Sequence, residues 1–306
     1  MRKEFSQWIE DYGRRDPRLI FLTGDLGFMA LEKVQASLGH RFINMGVCEQ
    51  NMVSVAAGLA QQGMRPLCYS IASFAVFRPY EQIRLDVALH RLSVKIVGNG
   101  GGYGYGIMGP THHALEDLAA LSCLPNFRCV VPVCNSDVAG AAEALFPLDG
   151  PGYLRLGLGV WPDELGALPE FRPIRRLVAA RVARPKLTIV GLGPVLLNVL
   201  PWVAADASVD VFAVSQLPLT VLDDSFLSSV ADSRQLLVIE EHVARGGMGE
   251  HVAAALVKEG VAFKMYHRHA VGYPNGCYGS QAYHQTQSGL DAVSLKKTVT
   301  QLRGSI

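Results

Sequence analysis

The chain has 306 residues, of which 49% are hydrophobic and 18% are charged. At about 150 residues per domain, this length suggests two domains, and the apolar content excludes intrinsic disorder. Lys and Arg total 28 against 27 for Asp and Glu, which disfavours a nucleic-acid partner because binding a polyanion usually requires a basic excess.

Strands and helices alternate along the first half of the chain. An amphipathic helix over 4–14 opens it, and the predicted strands that follow are LIFLTG, RFINM, RPLCYS, SVKIVGN, RCVVPV and GYLRLG. The helical segments between them are 31–38, 49–62, PYEQIRLDVALHRL, HALEDLAALSCL and SDVAGAAEALF. Such alternation predicts a doubly wound, mostly parallel sheet.

The composition changes over 159–186, where four prolines and five arginines accumulate. We interpret this segment as a linker between a first domain over 1–158 and a second over 187–306, although its arginines could also form a phosphate site. After it, the strands LTIVGLG, VDVFAV, QLLVIEEH and AFKMYH alternate with helices, the last over 290–302. The predicted fold class is therefore α/β, with two doubly wound domains.

Cysteine usage and the apolar segments indicate the compartment. The six cysteines form no C-x-x-C pair or zinc-type cluster, and MRKEFSQWIED lacks the apolar stretch of a signal peptide. Residues 187–205 carry no charge, but two glycines and two prolines interrupt them, which favours a strand, a turn opened by Pro194 and a helix over a membrane span. We expect a soluble, cytoplasmic protein with no membrane partner.

A glycine-rich loop, GNGGGYGYGIMG over 98–109, follows the fourth strand and contains G-x-G-x-x-G spacing. That spacing is typical of dinucleotide binding only where it opens directly onto a helix, whereas Pro110 and two histidines intervene here. Nucleotide binding is therefore disfavoured. Loops at the carboxyl ends of parallel strands nevertheless bind ligands in open α/β sheets.

Several residues near the predicted strand ends could carry chemistry. Glu49 is the only charged residue in MGVCEQNMVSVAAGLA; it is either a helix N-terminal residue stabilised by the dipole or an acid in an apolar pocket, which keeps its proton more readily unless it is paired. His112 and His113 follow the flexible glycine loop, a position suited to proton transfer. Asp25 ends the first strand, where a ligand-facing turn is expected.

Aromatic residues form an F-x-x-F-x-x-Y run, Phe74, Phe77 and Tyr80. A spacing of three residues places the rings on one side of a helical turn. The run is either part of the core or the wall of a ligand pocket.

The motifs together resemble the pyrimidine-binding domain of the transketolase family of thiamine diphosphate enzymes. In chain order they are D-L at 25–26, G-V-C-E-Q at 46–50, F-x-x-F-x-x-Y at 74–80, G-P-T-H at 109–112 and A-L-E-D-L at 114–118. The second half is similar to the family's C-terminal domain through VIEEHVARGGMGEHVAAAL and QTQSGLD. The resemblance covers nearly the whole chain.

The resemblance implies a role for each motif. Glu49 would hydrogen-bond N1′ of the aminopyrimidine ring and promote the tautomer that removes the thiazolium C2 proton, after which the cofactor attacks a ketose carbonyl. His112 would handle protons of the substrate. Asp25 and Leu26 would lie beside the thiazolium. The pyrimidine would be walled by three rings, those of Phe74, Phe77 and Tyr80.

Family members carry an additional N-terminal domain that binds the diphosphate and Mg²⁺ through a G-D-G motif and a later asparagine. Here G-D-L-G at 24–27 stands in another context, so no metal ligands are predicted in this chain. The resemblance implies the small subunit of a split transketolase, active only with a separately encoded large subunit. The expected assembly has two small and two large subunits.

The substrate side departs from phosphosugar transketolases, which hold the phosphate with a serine, a histidine and an arginine. Met29, Gly100 and Leu158 stand at those places here, and Arg155 lies three residues before the last. Arg155 is either a remaining cation of the clamp or a structural residue, and we expect space beside Gly100 for a bulkier acceptor. We therefore expect weak discrimination in favour of phosphorylated sugars, or a preference for an unphosphorylated or otherwise substituted sugar, unless the partner chain supplies a phosphate clamp.

Three alternatives to two-carbon ketol transfer stay open. A β subunit of a 2-oxo acid dehydrogenase E1 component shares the glutamate but usually lacks G-P-T-H at this place. A deoxyxylulose-phosphate-synthase-like acyloin reaction matches the F-x-x-F-x-x-Y run less well. A non-catalytic scaffolding subunit would need neither the glutamate nor the histidine.

Overall fold

The computed structural model describes residues 1–27 and 30–304, so Met29 lies outside the described residues. Within them, strands numbered in chain order form two sheets. The strands are β1 (Leu19–Thr23), β2 (Phe42–Asn44), β3 (Arg65–Ile71), β4 (Lys95–Asn99), β5 (Arg128–Val130), β6 (Gly152–Leu156), β7 (Ile174–Val178), β8 (Leu187–Leu192), β9 (Val209–Val214), β10 (Gln216–Leu217), β11 (Gln235–Glu240) and β12 (Lys264–His269).

The first sheet has the order β10-β5-β6-β4-β3-β1-β2, and the second has the order β12-β11-β8-β9-β7. Neighbouring strands are parallel except at one edge of each sheet, where β10 runs antiparallel to β5 and β7 runs antiparallel to β9. Strands such as β1 and β8 are buried along their whole length, as expected where helices cover both faces of a parallel sheet. The predicted α/β fold class is confirmed.

Helices connect the strands and cover the sheets. They are α1 (Arg2–Arg15), α2 (Glu32–Leu38), α3 (Glu49–Gln61), α4 (Ala72–Phe77), α5 (Tyr80–Gln82), α6 (Asp117–Ser122), α7 (Val138–Leu145), α8 (Leu200–Val203), α9 (Asp224–Ser233), α10 (Met248–Lys258), α11 (Gln281–Gln287) and α12 (Ala292–Gly304). A π-helix, Ile83–Leu89, continues α5, and a 3₁₀ helix, Gly106–Thr111, lies in the glycine-rich loop. In α1, Phe5, Trp8 and Tyr12 are buried at helical spacing.

Some predicted elements differ from those observed. The single helix expected after Pro194 is a 3₁₀ helix, Gly193–Asn198, followed by the short α8, because Pro201 has no N–H with which to continue a helical ladder. The predicted final strand AFKMYH begins only at Lys264 and extends to His269. Part of the predicted final loop QTQSGLD belongs to α11.

The segment 159–186 contains a strand that the sequence did not indicate, β7, which forms an edge of the second sheet. Its Arg175 is buried and pairs with Asp137 of the first half. Arg176 donates to the Ser225 carbonyl and Arg181 to the Ala204 carbonyl. These three arginines therefore satisfy protein groups.

The two halves share one hydrophobic core. A cluster of buried side chains runs from Ile20 on β1 through Val131 to Phe212 on β9, and β10 extends the first sheet with residues from the second half. None of the helices in the described part of the chain is long and apolar enough to cross a bilayer. The uncharged stretch 187–205 is divided among β8, the 3₁₀ helix and α8.

Candidate active site

Glu49 is the first residue of α3 and is only 4% exposed. Its Oε1 accepts a hydrogen bond from Ser70 Oγ at 3.1 Å, and its Oε2 accepts one from Arg78 Nη1 at 2.9 Å. The sequence left open whether this acid is paired, and these contacts show that it is. The α3 N-terminus adds a partial positive charge to the surroundings of this buried carboxyl group.

Phe74 lies in α4, and its half-buried ring is next to Arg78, one of the two partners of Glu49. The guanidinium carbon of Arg78 is 3.7 Å from the Phe74 ring centroid, and the His112 ring centroid is 5.0 Å away on the same aromatic. Phe74 therefore connects the acidic and the histidine parts of the site through its ring.

The other two aromatics of the run are placed differently. Phe77 ends α4 with 40% of its surface exposed. Tyr80 begins α5 after Pro79; its hydroxyl donates to the Ala120 carbonyl at 2.8 Å, and its side chain packs against the core. Phe77 is open to a ligand or partner, whereas the Tyr80 hydroxyl is engaged in packing α5 against α6.

The two adjacent histidines have different environments. His112 is half-buried, with Nδ1 2.8 Å from Thr111 Oγ1. His113 is buried, with Nε2 2.8 Å from the Gly106 carbonyl and Nδ1 2.7 Å from the Tyr273 hydroxyl. These partners require Nε2–H to donate and Nδ1 to accept, and burial lowers the pKa of His113 to about 4. His113 is a neutral structural residue, and His112 is the candidate for proton transfer.

Asp25 and Leu26 form the turn after β1. Asp25 Oδ1 accepts a hydrogen bond from Asn44 Nδ2 at the end of β2, at 3.1 Å. A Cβ built on Gly24 would lie 3.6 Å from Ser70 Oγ, the hydroxyl that donates to Glu49. The turn therefore belongs to the same edge of the sheet as Glu49.

Gly100 was expected to leave space for a substrate, and this expectation is wrong. Gly100 has a φ of +72°, and a Cβ there would overlap the ring of Tyr105. Tyr105 is held by Asn99 Nδ2, which donates to its hydroxyl at 2.9 Å, and its ring centroid is 5.7 Å from that of His112. The missing side chain at Gly100 makes room for Tyr105, which fills the position.

Of the two roles that the sequence left open for Arg155, the contacts favour the structural one. Its guanidinium is buried, its Nε is 2.9 Å from Asp117 Oδ2, and it donates to the carbonyls of Ala114 and Glu241. Leu158 is 70% exposed. Neither residue offers a free cation to a substrate phosphate.

These contacts join the carboxyl ends of β1, β3 and β4 into one site. A continuous chain of contacts runs through Ser70, Glu49, Arg78, Phe74, His112, Tyr105 and Asn99. Asp25, in the turn after β1, pairs with Asn44 at the same edge. A buried carboxylate beside a partly open aromatic face is the chemistry that a planar, nitrogen-containing ring requires. The residues therefore fit the aminopyrimidine half of thiamine diphosphate.

The described residues were also compared with the ligand sets that bind metal ions. Across residues 1–27 and 30–304, no group of three or more His, Cys, Asp or Glu side chains is arranged to hold a metal ion. The six cysteines are free thiols.

Comparison with known proteins identifies the class to which this fold and site belong. Residues 1–157 match the family model described as transketolase, pyrimidine binding domain, and residues 178–291 match that described as transketolase, C-terminal domain. The chain belongs to the transketolase family. The predicted resemblance is thereby confirmed.

Two curated relatives differ in how much of their length the chain spans. It is 29% identical over 302 residues to 1-deoxy-D-xylulose-5-phosphate synthase from Thioalkalivibrio sulfidiphilus, covering 96% of this chain but 46% of that protein. It is 26% identical over 303 residues to a subunit of apulose-4-phosphate transketolase from Phocaeicola vulgatus, covering 97% of this chain and 95% of that protein. The chain thus spans about half of the first relative and nearly all of the second.

Solved structures agree with this pattern. A split-gene transketolase, solved as an inactive beta4 tetramer, superposes with a TM-score of 0.80 at 26% identity, covering 99% of this chain and 97% of that chain. Transketolase from Leishmania mexicana has a TM-score of 0.75 at 20% identity, covering 99% of this chain and 45% of that chain, and shares the fold. The chain is thus similar in length to a split-gene transketolase chain and to slightly less than half of a single-chain transketolase.

Sequence reasoning missed Ser70, Arg78 and Tyr105 as members of the site. Arg78 had a readable signal, because it is the only charged residue in PLCYSIASFAVFRPY, over 66–80. A lone cation and the lone anion Glu49, both in apolar segments, are expected to pair. Ser70 and Tyr105 carried no such signal, since only the fold brings them to this edge.

Proposed function

We propose that this chain is the small subunit of a split, thiamine diphosphate-dependent transketolase that transfers a two-carbon ketol unit between sugars. The observation that carries the proposal is the buried Glu49 carboxylate at the start of α3, joined through Arg78 and Phe74 to His112. A separately encoded large subunit would bind the diphosphate and Mg²⁺.

The residues of this chain would position and exchange protons. Thiamine diphosphate, when bound, supplies the carbon nucleophile that takes up the two-carbon unit. Glu49 would hold a proton between its carboxylate and a ring nitrogen of the aminopyrimidine. Phe74, with Phe77 and Tyr80 nearby, would pack on that ring, Asp25 and Leu26 would lie beside the thiazolium, and His112 would exchange protons with substrate hydroxyls.

Relatives of matching length support the two-chain arrangement. The chain covers nearly all of a protein named as one subunit of a transketolase and nearly all of a split-gene transketolase chain. We propose an assembly of two small and two large subunits. The free thiols fit a reducing, cytoplasmic location.

A second candidate is an acyloin-forming reaction like that of deoxyxylulose-phosphate synthases. The observation in its favour is the 29% identity to one such enzyme over nearly the whole of this chain. This chain spans 46% of that relative, and under this candidate a partner chain would supply the counterpart of the rest. Donor preference separates the two candidates.

Reconstitution tests the proposal. The chain is co-purified with a candidate large subunit carrying the G-D-G motif, and turnover is measured with thiamine diphosphate and Mg²⁺. We expect ketol transfer from ketose donors by the complex and none by either chain alone. Robust turnover by the single chain would contradict the split-site proposal, and carbon dioxide release from 2-oxo acid donors would select the second candidate.

A further inference from the structure

Arg78 contacts both groups that would bind the pyrimidine ring in the proposed site, the Glu49 carboxyl group and the Phe74 ring. Its Nη1 is 2.9 Å from Glu49 Oε2, and its guanidinium carbon is 3.7 Å from the centroid of Phe74. The Arg78 side chain is 41% exposed, whereas that of Glu49 is 4% exposed. The guanidinium therefore lies across the solvent side of the carboxylate.

A guanidinium and an aminopyrimidine share the same recognition chemistry. Both are planar, both present N–H or ring-nitrogen groups along an edge, and both stack on aromatic faces. A ring bonded to Oε2 of Glu49 and stacked on this face of Phe74 would overlap the present position of the guanidinium.

We infer that Arg78 is an internal occupant of the pyrimidine position, which has to swing outward before the cofactor's ring binds. This inference rests on the proposed function. Arg78 should be displaced at a small cost in free energy, because a partly exposed ion pair and a partly exposed cation–π contact each stabilise its position only modestly. Since its side chain already reaches solvent, Arg78 can leave Glu49 without unfolding α4.

The test measures binding of free 4-amino-2-methylpyrimidine to the full chain by ligand-observed NMR. Arg78→Ala is compared with the wild type and with Arg84→Ala, which removes an exposed arginine of the neighbouring π-helix. We expect Arg78→Ala to bind the probe about tenfold more tightly, with Arg84→Ala unchanged. Unfolding temperatures establish that all three chains are folded.

Salt gives an independent readout. Raising the salt concentration to about 0.5 M weakens the Arg78–Glu49 pair only in part, because Glu49 is buried. Wild-type affinity for the probe should therefore rise slightly while that of Arg78→Ala stays constant. A merely structural arginine would show no such difference.

Equal or weaker probe binding by Arg78→Ala would overturn the inference, and so would the absence of binding to either chain, because removal of the guanidinium should suffice to open the position. The proposed function is judged separately by turnover of the reconstituted complex. If Arg78→Ala binds the probe more tightly but the reconstituted complex shows no turnover, the inference about Arg78 stands and the proposed function is wrong.

Discussion

At the scale of single residues, Glu49 combines burial with two hydrogen-bond donors and a helix N-terminus. Charge-assisted hydrogen bonds and a helix N-terminus are the partners that a buried carboxyl group needs. If Arg78 swings outward as inferred above, Glu49 loses the one cationic partner among the contacts described above. A ring nitrogen of the aminopyrimidine placed there would then be the hydrogen-bond partner of Oε2.

Glu49→Gln keeps the shape of the side chain but removes its ability to exchange a proton. In the reconstituted complex, we expect the cofactor to bind and the exchange of its C2 proton for deuterium to slow at least about a hundredfold, the usual scale for loss of a general acid or base. NMR of the quenched reaction measures this rate. Glu81→Gln, which changes an exposed carboxylate on α5, is the matched control, and wild-type exchange in Glu49→Gln would refute the proposed role.

The sequence allowed some of these residues to be predicted because their segments carry unusual local signals. Glu49 is a lone charge in an apolar helix, and His112 follows a glycine-rich loop. Tyr105 carried no comparable signal, because its place depends on the φ of +72° at Gly100 and on Asn99 at the end of β4. Such tertiary placements are invisible to periodicity.

At the scale of elements, the glycine-rich loop is held against the second half of the chain by a cluster of rings. His113 stacks on Tyr273 with centroids 5.7 Å apart, and Tyr103 stacks on His284 at 4.8 Å. The Tyr103 hydroxyl also donates to the Gly272 carbonyl. This cluster fixes the loop that carries His112 without using His112 itself.

Because the pKa of His113 is lowered to about 4 in the folded chain, against about 6.5 when unfolded, the unfolded state binds more protons between these values. Stability from this group is complete above pH 6.5 and is lost as pH falls to 4. The pKa of His284 is also lowered by burial, which adds a loss of the same sign. Comparison with a variant that lacks His113 isolates its part.

His113→Gln retains a donor for the Gly106 carbonyl but does not titrate. We expect the free energy of unfolding of the variant to be lower than that of the wild type at pH 7. At pH 4.5 the difference between the two should be smaller by about 2–3 kcal/mol. Urea unfolding at the two pH values measures the difference. A gap that is the same at both would show that His113 is not held neutral by burial.

The pattern of strands and helices was predictable in both halves, whereas the edge strands β7 and β10 were not. These two strands pair antiparallel with their neighbours, and it is this pairing that makes them strands. The segment of β10, for example, has only two residues. Likewise, the π-helix Ile83–Leu89 reads as an ordinary helix in sequence. Pairing partners distant in the chain determine such edge strands.

At the scale of the whole molecule, several exposed apolar side chains lie in or next to the segments that carry the site. Val47 precedes α3 with 70% exposure, and Ile107 and Met108 lie in the glycine-rich loop with 76% and 53% exposure. Phe77 and Tyr278 are also exposed, at 40% and 58%. Exposed apolar side chains of this kind are typical of a surface that another chain covers, which agrees with the low share of charged residues in the composition.

The positions at which a substrate phosphate could be bound carry no available cation in this chain. Gly100 is filled by Tyr105, Arg155 is committed to Asp117, and Leu158 is exposed but apolar, so none of these positions supplies a cation. A phosphate dianion requires charge-assisted donors worth about 1.5–3 kcal/mol each. This chain therefore contributes little to phosphate recognition at the places considered.

We therefore expect the reconstituted complex to discriminate weakly, within about tenfold in kcat/KM, between a ketose phosphate and its dephosphorylated counterpart. Tyr105→Phe, which removes the hydroxyl held by Asn99, should leave this ratio unchanged, because an uncharged hydroxyl does not select for a dianion. The measurement is kcat/KM for the matched pair of donors in both complexes. A preference for the phosphate of about a thousandfold or more would require two or three charged contacts, and would place a phosphate clamp on the partner chain or on arginines of this chain other than Arg155.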